Sequence, residues 1–375
     1  MTPTGNPDPP KQPIESVLAE FDGKKETLTA FCLRTKDLIE QILQDANIPF
    51  QSVQARVKSR EKLKQKYLNP EKNYRQLDDV TDQAGLRVIT YYEDEVDRVA
   101  EAIKQEFHID TKNSVDKREV EPNKFGYYAL NYVCKYADTR ISQVEYKRFS
   151  SILCEIQITS ILRHAWSEIE HPWYDVKGAF PDQARIERRF ARMAALLEIA
   201  EDEFLNLRKI RSDYQKSLDV QVAANVPDVP VDVVSLRSLI KEQALVTEVD
   251  TALASVVGRP LSDVSDGSVR NLERAIGAAG LKNIQQVYTS LAHNKQAIIE
   301  FVGRCKDEGV WAPITEETLP VGVSLFQLAQ LLMSAKGVET ISNFVKTRAP
   351  SIDWPIARQV EIAQEAIERL PKPKS

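Results

Sequence analysis

One short segment, residues 151–159, alternates so regularly between apolar and polar side chains that it constrains the structure around it. Its apolar residues fall on one side of an extended strand: Ile152, Cys154, Ile156 and Ile158. Glu155 and Gln157 point to the other side. Because the apolar side must face a hydrophobic core, Glu155 faces either solvent or a polar site.

The neighbouring segments predict further strands and the helices that cover a sheet. Apolar, β-branched runs predict strands at residues 85–92, 107–111 and 128–136, in addition to 151–159. The helical spacing of apolar residues predicts helices at 14–47, 57–67, 94–107, 161–170 and 183–211. We therefore expect an α+β domain over residues 14–218, in which helices flank a mixed β-sheet.

The C-terminal part of the chain has a different pattern. Residues 219–233 are rich in Val, Ala and Pro and predict a linker. Beyond the linker we expect an all-α domain over residues 234–375, with helices at 236–257, 268–279, 281–305, 325–334, 338–345 and 356–370. The domain contains one histidine, His293, and no phosphate-binding loop or metal-ligand spacing, so we interpret it as an interaction or regulatory domain.

The composition excludes several classes of protein. A net charge of −5 excludes a nucleic-acid-binding polycation, and no apolar run approaches the ~20 residues of a membrane span. Residues 1–13 are rich in Pro and polar residues and lack the apolar core of a signal peptide, which predicts a disordered tail in a cytoplasmic protein. The four cysteines are far apart, so we expect small buried side chains rather than zinc ligands or disulfides.

A basic run at residues 56–66 precedes two separated acidic residues. Lys62 and Lys66 are four residues apart and would be neighbours on a helix. Asp82 and Glu155 belong to different predicted strand segments. Two carboxylates on adjacent strands with a cluster of cations are what a metal-dependent phosphoryl-transfer site requires. For the basic run alone, a solvated lysine-rich face is the alternative.

Five motifs, in this order, resemble the RelA/SpoT family of nucleotide pyrophosphokinases over roughly residues 16–216. They are Arg56-Val57-Lys58-Ser59 with Lys66, Asp82 with Gly85 and Arg87, Phe125-Gly126-Tyr127, Glu155-Ile156-Gln157-Ile158, and the run from His164 to His171. Each motif alone is weak evidence, whereas five in order are specific. The resemblance implies a nucleotidyltransferase-like synthetase fold and the ATP-dependent transfer of pyrophosphate to a ribose 3′-hydroxyl.

The resemblance also implies a role for each matching residue. The expected catalytic residues are Asp82, Glu155 and Gln157, of which Asp82 and Glu155 are also the expected Mg²⁺ ligands. The expected ATP-binding cations are Arg56, Lys58, Lys62, Lys66 and Arg87. The expected acceptor-binding residues are Gly126, Tyr127, which stacks on the base, and Asn131. We expect His171 and Tyr174 to support the site, and His164 and Trp166 to be packing residues.

Four positions depart from the family pattern. Lys62 stands where a serine is common, Ala129 and Asn131 replace a serine and a histidine of the glycine loop, and Thr159 replaces an arginine. Lys62 adds a cation on the donor side, and the other three departures lie on the acceptor side. We therefore expect the donor chemistry to be intact and leave the identity of the acceptor open. The histidines, His108, His164, His171 and His293, include none that precedes the synthetase region or is followed by Asp, so we expect no hydrolase domain.

Three functions follow from these observations. The first is synthesis of a (p)ppGpp-type alarmone from ATP and GDP or GTP, with an adenine nucleotide as a less favoured acceptor. The second is pyrophosphorylation of the tRNA 3′ end by a translation-blocking toxin, as in toxic members that are similar to small alarmone synthetases. The third is a degenerate nucleotide-binding regulator. We expect the helical domain either to restrain the synthetase until a protein trigger binds or to act as a separate targeting or oligomerisation module.

Overall fold

The structure is a computed structural model that describes residues 11–118, 126, 129–174, 182–310, 317–348 and 355–370. It divides into two units, Met1–Leu207 and Arg208–Ser375, and the division falls within one long helix. Among the described residues, no helix has the length and apolar character needed to cross a membrane.

The first unit consists of a mixed sheet and the helices that pack on it. Its strands are β1 (Ser52–Val57), β2 (Ala84–Thr90), β3 (Phe107–Ile109), β4 (Val115–Asp116), β5 (Leu130–Tyr136) and β6 (Cys154–Ser160). Its helices are α1 (Ile14–Asp45), α2 (Arg60–Leu68), α3 (Asp94–Glu106), α4 (Asp138–Ile141), α5 (Val144–Lys147), α6 (Ile161–Tyr174) and the first part of α7 (Gln183–Ala224). The α+β fold class predicted from the sequence is confirmed.

The topology of the sheet separates an apolar face from a polar one. The strand order is β1-β2-β6-β5-β3, and β4 also pairs with β5. Strands β2 and β6 are parallel, and the other pairs are antiparallel. Leu86, Ile156 and Tyr132 are register partners and point to the same side, where they join the core cluster that includes Phe31 of α1 and Val99 of α3. The polar side chains of these strands therefore lie on the opposite face, as the alternation in β6 predicts.

Strand β1 was not predicted, and the predicted helix 57–67 is wrong at its start. Val57 is the last residue of β1, and α2 begins at Arg60. The side chain of Ser59 caps this helix by accepting a hydrogen bond from the backbone N–H of Lys62 (3.2 Å). The serine therefore ends the strand and starts the helix within three residues.

The predicted disordered tail, residues 1–13, differs from the structure at its C-terminal end, while residues 1–10 lie outside the described part. Gln12 donates its backbone N–H to the carbonyl of Arg75 (2.8 Å) and accepts from the hydroxyl of Tyr67 (3.0 Å). Lys11 donates to the carbonyl of Tyr67 (3.2 Å). These hydrogen bonds fix residues 11 and 12 against α2 and the segment that follows it.

The second unit is mostly helical. After the end of α7 it contains α8 (Val233–Glu242), α9 (Ala244–Val257), α10 (Asp266–Ala279), α11 (Ile284–Asp307), α12 (Val323–Ala335), α13 (Val338–Arg348) and α14 (Ile356–Glu368). Gly258 and Gly280 end their helices in the left-handed conformation, at the positions predicted from the sequence. The expectation of an all-α domain is wrong in one detail, because β7 (Leu261–Ser262) and β8 (Leu319–Pro320) form a short parallel pair.

Two boundaries in this unit differ from the predictions. The segment predicted as a linker, 219–233, is helical as far as Ala224, because Val222 is buried in the core of the second unit and extends the packed face of α7. The predicted helix 236–257 is two helices, since Gln243 has a non-helical backbone and its side chain donates to the carbonyl of Val222. Both differences arise from tertiary contacts of the same valine.

Candidate functional site

The polar face of the sheet brings residues of four strands together in two rows. In the first row, Arg56 of β1 pairs with Gly85 of β2, which pairs with Glu155 of β6. In the second row, Gln54, Arg87, Gln157 and Asn131 are consecutive partners across β1, β2, β6 and β5. Because register partners point to the same side and alternate residues share a face, both rows project from one surface.

The guanidinium of Arg87 makes polar contacts with three other side chains at this surface. Its Nε donates to Oε1 of Gln157 (3.2 Å), and its Nη1 donates to Oε1 of Glu168 (2.6 Å). The same Nη1 lies 3.1 Å from Nδ1 of His164. Burial and the adjacent guanidinium of Arg87 both lower the pKa of His164, so the ring is neutral at pH 7 and can accept this hydrogen bond. These contacts join α6 to the second row of the site.

Asp82 lies just before β2 and joins the sheet to α2. Its Oδ2 accepts from Nζ of Lys58 (2.8 Å) and from Nζ of Lys66 (2.7 Å), and the carboxylate is only 14% exposed. Burial favours the neutral acid, but the ion pairs with both lysines outweigh it and hold the pKa of Asp82 below its usual range. The carboxylate is therefore ionised at neutral pH.

The face surrounds an open cavity of about 340 Å³, within the range of small-molecule sites. Its lining contains four cations and two carboxylates: Arg56, Lys58, Lys62, Arg87, Asp82 and Glu155. Gln157 completes the lining near Glu155 and donates to Oε1 of that residue (3.3 Å). Gly85 has no side chain, so the floor between Arg56 and Glu155 stays open. Cations, acids and an open floor together fit a polyphosphate with a divalent cation.

The donor set fits a hard divalent cation. Oδ1 of Asp82 is buried and has no hydrogen-bond partner, although Oδ2 of the same carboxylate has two. A buried carboxylate oxygen without a partner is costly unless another group binds it, and Mg²⁺ prefers such oxygens. No group of three or more His, Cys, Asp or Glu side chains in the described part of the chain forms a closed metal site. A cation at Asp82 and Glu155 would therefore complete its shell with substrate oxygens or water.

Most of the predicted site residues converge. Seven of them line the cavity: Arg56, Lys58, Lys62, Asp82, Arg87, Glu155 and Gln157. Lys66 joins this group through its ion pair with Asp82, and Asn131 is the register partner of Gln157. Tyr127 lies outside the described residues. Gly126 is described, and the space where a side chain would begin is empty to 4 Å.

The sequence analysis assigned no role to three contributors to the site, although two of them, Ser59 and Glu168, lie in the family motifs. Gln54 and Ser59 also line the cavity, and Glu168 binds Arg87 from α6. His164 was predicted to be a packing residue, but its ring contacts Arg87. Trp166 is buried and packs edge-on against Phe190 (ring centroids 6.4 Å apart), as predicted. The spacing of His164 and Glu168, four residues apart on a helix, was the available signal for a common face.

A comparison with known families finds a match for part of the chain. Residues 55–178 match the model of a family described as the region found in RelA/SpoT proteins, which confirms the resemblance identified from the sequence. No curated protein matches the chain.

Several solved structures are similar to about half of the chain. The small alarmone synthetase 1 from Bacillus subtilis is 20% identical over 52% of this chain and 98% of that chain, with a TM-score of 0.43. The structure of the same synthetase bound to its product pppGpp is 21% identical over 48% and 93%, with a TM-score of 0.41. A GTP pyrophosphokinase family protein from Streptococcus pneumoniae is 26% identical over 53% and 94%, with a TM-score of 0.41.

Proposed function

Because the chain carries a RelA/SpoT-type synthetase region, we propose that it transfers the β,γ-pyrophosphate of ATP to the ribose 3′-hydroxyl of a purine nucleotide, GDP or GTP. One observation carries the proposal: the cations and the two carboxylates that this reaction needs line one cavity on one face of the sheet. A pyrophosphate transfer needs exact positioning and neutralisation of phosphate charge, and it needs little covalent participation by the protein.

The donor triphosphate is assigned to the cationic side of the cavity. Arg56 and Arg87 present planar guanidinium groups that can bind two phosphate oxygens at once. Lys58 and Lys62 add ammonium groups on the strand–helix connection and on α2. Charge-assisted hydrogen bonds of this kind hold the β-phosphorus in line with the attacking oxygen and neutralise the charge that develops on the phosphate oxygens.

Mg²⁺ is the cofactor that we assign to this site. Asp82 and Glu155 would hold it, and when bound it polarises the phosphate oxygens and neutralises their charge. The acceptor's 3′-oxygen forms a bond to the β-phosphorus, the bond from that phosphorus to the oxygen bridging it to the α-phosphate breaks, and AMP leaves. The proton of the 3′-hydroxyl goes to the carboxylate of Glu155 or to water. Gln157 orients Glu155 by donating to it.

A tRNA 3′ end is the second candidate acceptor, and Asn131 is the observation that favours it. Asn131 is buried beside Gln157, so the polar side chains at this end of the face are neutral. A free nucleoside di- or triphosphate carries several negative charges on its 5′ side and needs cations there. The terminal ribose of a tRNA carries one phosphodiester at that position and needs fewer.

The test is a transfer assay with ATP labelled on the γ-phosphate. The purified protein is incubated separately with GDP, GTP, ADP and bulk tRNA, and we expect label in the guanine nucleotide. If only tRNA is labelled, the acceptor is the tRNA 3′ end and not a guanine nucleotide. If no acceptor is labelled, the result would support a nucleotide-binding regulator instead.

The assigned acids are tested by Asp82→Ala and Glu155→Ala. Each should abolish transfer in a folded protein, because loss of a metal ligand removes several kcal/mol of transition-state stabilisation. Glu101→Ala is the matched control, since Glu101 pairs with Lys104 on the exposed face of α3, away from the cavity lining. Wild-type turnover in either folded site variant would refute the assignment.

A further inference from the structure

Two cations of the candidate site are ion-paired with one of its own carboxylates. Lys58 and Lys66 both donate to the same oxygen of Asp82, at 2.8 and 2.7 Å. Lys58 is only 14% exposed and Lys66 30%, so solvent screens these ion pairs weakly. The same carboxylate raises the pKa of Lys66, against the opposing effect of burial. When no nucleotide is bound, the ammonium groups of Lys58 and Lys66 are therefore both ion-paired with the carboxylate of Asp82.

The same lysines have a second expected partner, the phosphates of the donor nucleotide. A phosphate oxygen competes with Oδ2 of Asp82 for the same N–H groups, and the approaching phosphate is also repelled by that carboxylate. The other oxygen, Oδ1, is buried and has no hydrogen-bond partner. Oδ2 of Asp82 thus accepts hydrogen bonds from both lysines, and Oδ1 is available to ligate a cation.

We propose that Asp82 sequesters Lys58 and Lys66 until a divalent cation binds it, and that the cation releases both lysines to the nucleotide phosphates. A cation at Asp82 neutralises the carboxylate and repels the ammonium groups, so their favourable partner becomes the phosphate. The divalent cation and the nucleotide then bind cooperatively, and the coupling is reciprocal. The inference rests on the proposed function for the identity of its ligand, ATP.

This exchange predicts a different behaviour from simple metal ligation. If Asp82 only ligates the cation, replacing it has no effect on nucleotide binding when no cation is present. If Asp82 sequesters the lysines, replacing it frees them, and metal-free nucleotide binds more tightly than to the wild type. Only sequestration of the lysines predicts a gain in affinity in a measurement that contains no metal.

The experiment measures the binding of an ATP analogue by calorimetry, using the full chain. A methylene group between the α- and β-phosphates of the analogue prevents transfer. Wild type and Asp82→Asn are each titrated in EDTA and in Mg²⁺. We expect Asp82→Asn to bind the analogue in EDTA at least ~10-fold more tightly than wild type, within the usual range of coupling between sites. Mg²⁺ should strengthen binding strongly in the wild type and little in the variant.

Two further variants separate the exchange from a general loss of negative charge. Glu155→Gln removes one charge from the same cavity. Glu155 forms no ion pair with either lysine in the described structure, although its charge contributes to the raised pKa of Lys66, so this variant should gain less affinity in EDTA than Asp82→Asn. Asp82→Asn combined with Lys66→Met should lose most of the gain, because one of the released lysines is absent. The double variant also relieves any repulsion between unpaired lysines in Asp82→Asn.

The outcomes separate this inference from the proposed function. Equal affinity of wild type and Asp82→Asn in EDTA overturns the inference, even if transfer is intact. An equal gain in Glu155→Gln also overturns it, since the effect is then one of net charge. If wild type fails to bind the analogue even in Mg²⁺, both the ATP site and the exchange are refuted.

Discussion

Gly85 allows the stability of the first unit to be separated from the function of its site. It lies on the polar face of β2, between Arg56 and Glu155. Its backbone is not in the left-handed region that favours glycine. The three atoms nearest to a methyl group at this position belong to Arg56, at 3.8 to 3.9 Å, which is ordinary van der Waals contact. Neither the backbone nor the packing requires glycine here, so we assign its role to the cavity.

The substitution Gly85→Ala should therefore stabilise the protein and impair its activity. Removing a glycine from a strand interior at a compatible conformation raises the free energy of unfolding by ~0.5–1 kcal/mol. The added methyl group projects from the floor of the cavity and displaces the bound phosphates. A displacement of about 1 Å costs roughly 100-fold in rate, and Gly85→Val, which is larger, should lose more.

The assay combines urea unfolding with the transfer rate for each variant. Gly23→Ala is the matched control, because Gly23 lies in α1 with empty space where a side chain would begin. This control should gain about 1 kcal/mol from helix propensity and keep its transfer rate. If Gly85→Ala loses stability, or remains fully active while folded, the assignment of the glycine to the cavity floor is wrong.

Two other groups give predictions of a different kind. His164 must be neutral to accept a hydrogen bond from Arg87. The value of kcat/KM should therefore fall as the pH drops below the ordinary His pKa of about 6.5. His164→Asn should remove this acid limb from the pH–rate profile. Asp250 is fully buried and accepts hydrogen bonds from the backbone N–H groups of Gly322 (2.6 Å) and Ser324 (2.8 Å). Asp250→Ala should therefore lower the free energy of unfolding of the second unit by ~3–5 kcal/mol, measured by urea titration. Asp250→Asn should lower it by less. Because burial raises the pKa of Asp250, its folded form binds the proton more tightly than its unfolded form, and stability should decrease as the pH rises from about 4 through the raised value.

The parts of the fold that were predictable are those in which apolar and polar residues repeat with the period of a strand or a helix. The alternation in β6 separates Glu155 and Gln157 from the buried residues on either side, and the structure has the same two faces. Helices α1 and α3 are long and strongly patterned, and their predicted ends lie within two residues of the observed ones. The glycines that end α9 and α10 act locally, through their backbone conformation, and were predictable for that reason.

The remaining features depend on contacts between distant parts of the chain. Strand β1 was obscured because its one basic residue, Arg56, begins a basic run that was interpreted as a helix, and pairing with β2 decides the conformation. The contact of Glu168 with Arg87 joins residues 81 positions apart, and no local pattern encodes it. The break at Gln243 likewise depends on a hydrogen bond to α7.

Three of the four departures from the family pattern, Lys62, Asn131 and Thr159, divide between the two ends of the site. Lys62 lines the cavity, as Arg56 does, and adds a cation to the end assigned to the donor. Asn131 is the partner of Gln157, and Thr159 lies on the same face two residues further along β6. Both are buried, and each has an oxygen without a hydrogen-bond partner. The donor end therefore keeps or increases its charge, while the neutral replacements lie together at the other end. A comparison of acceptors at constant ATP tests that neutral end directly, because the donor end is the same in every reaction.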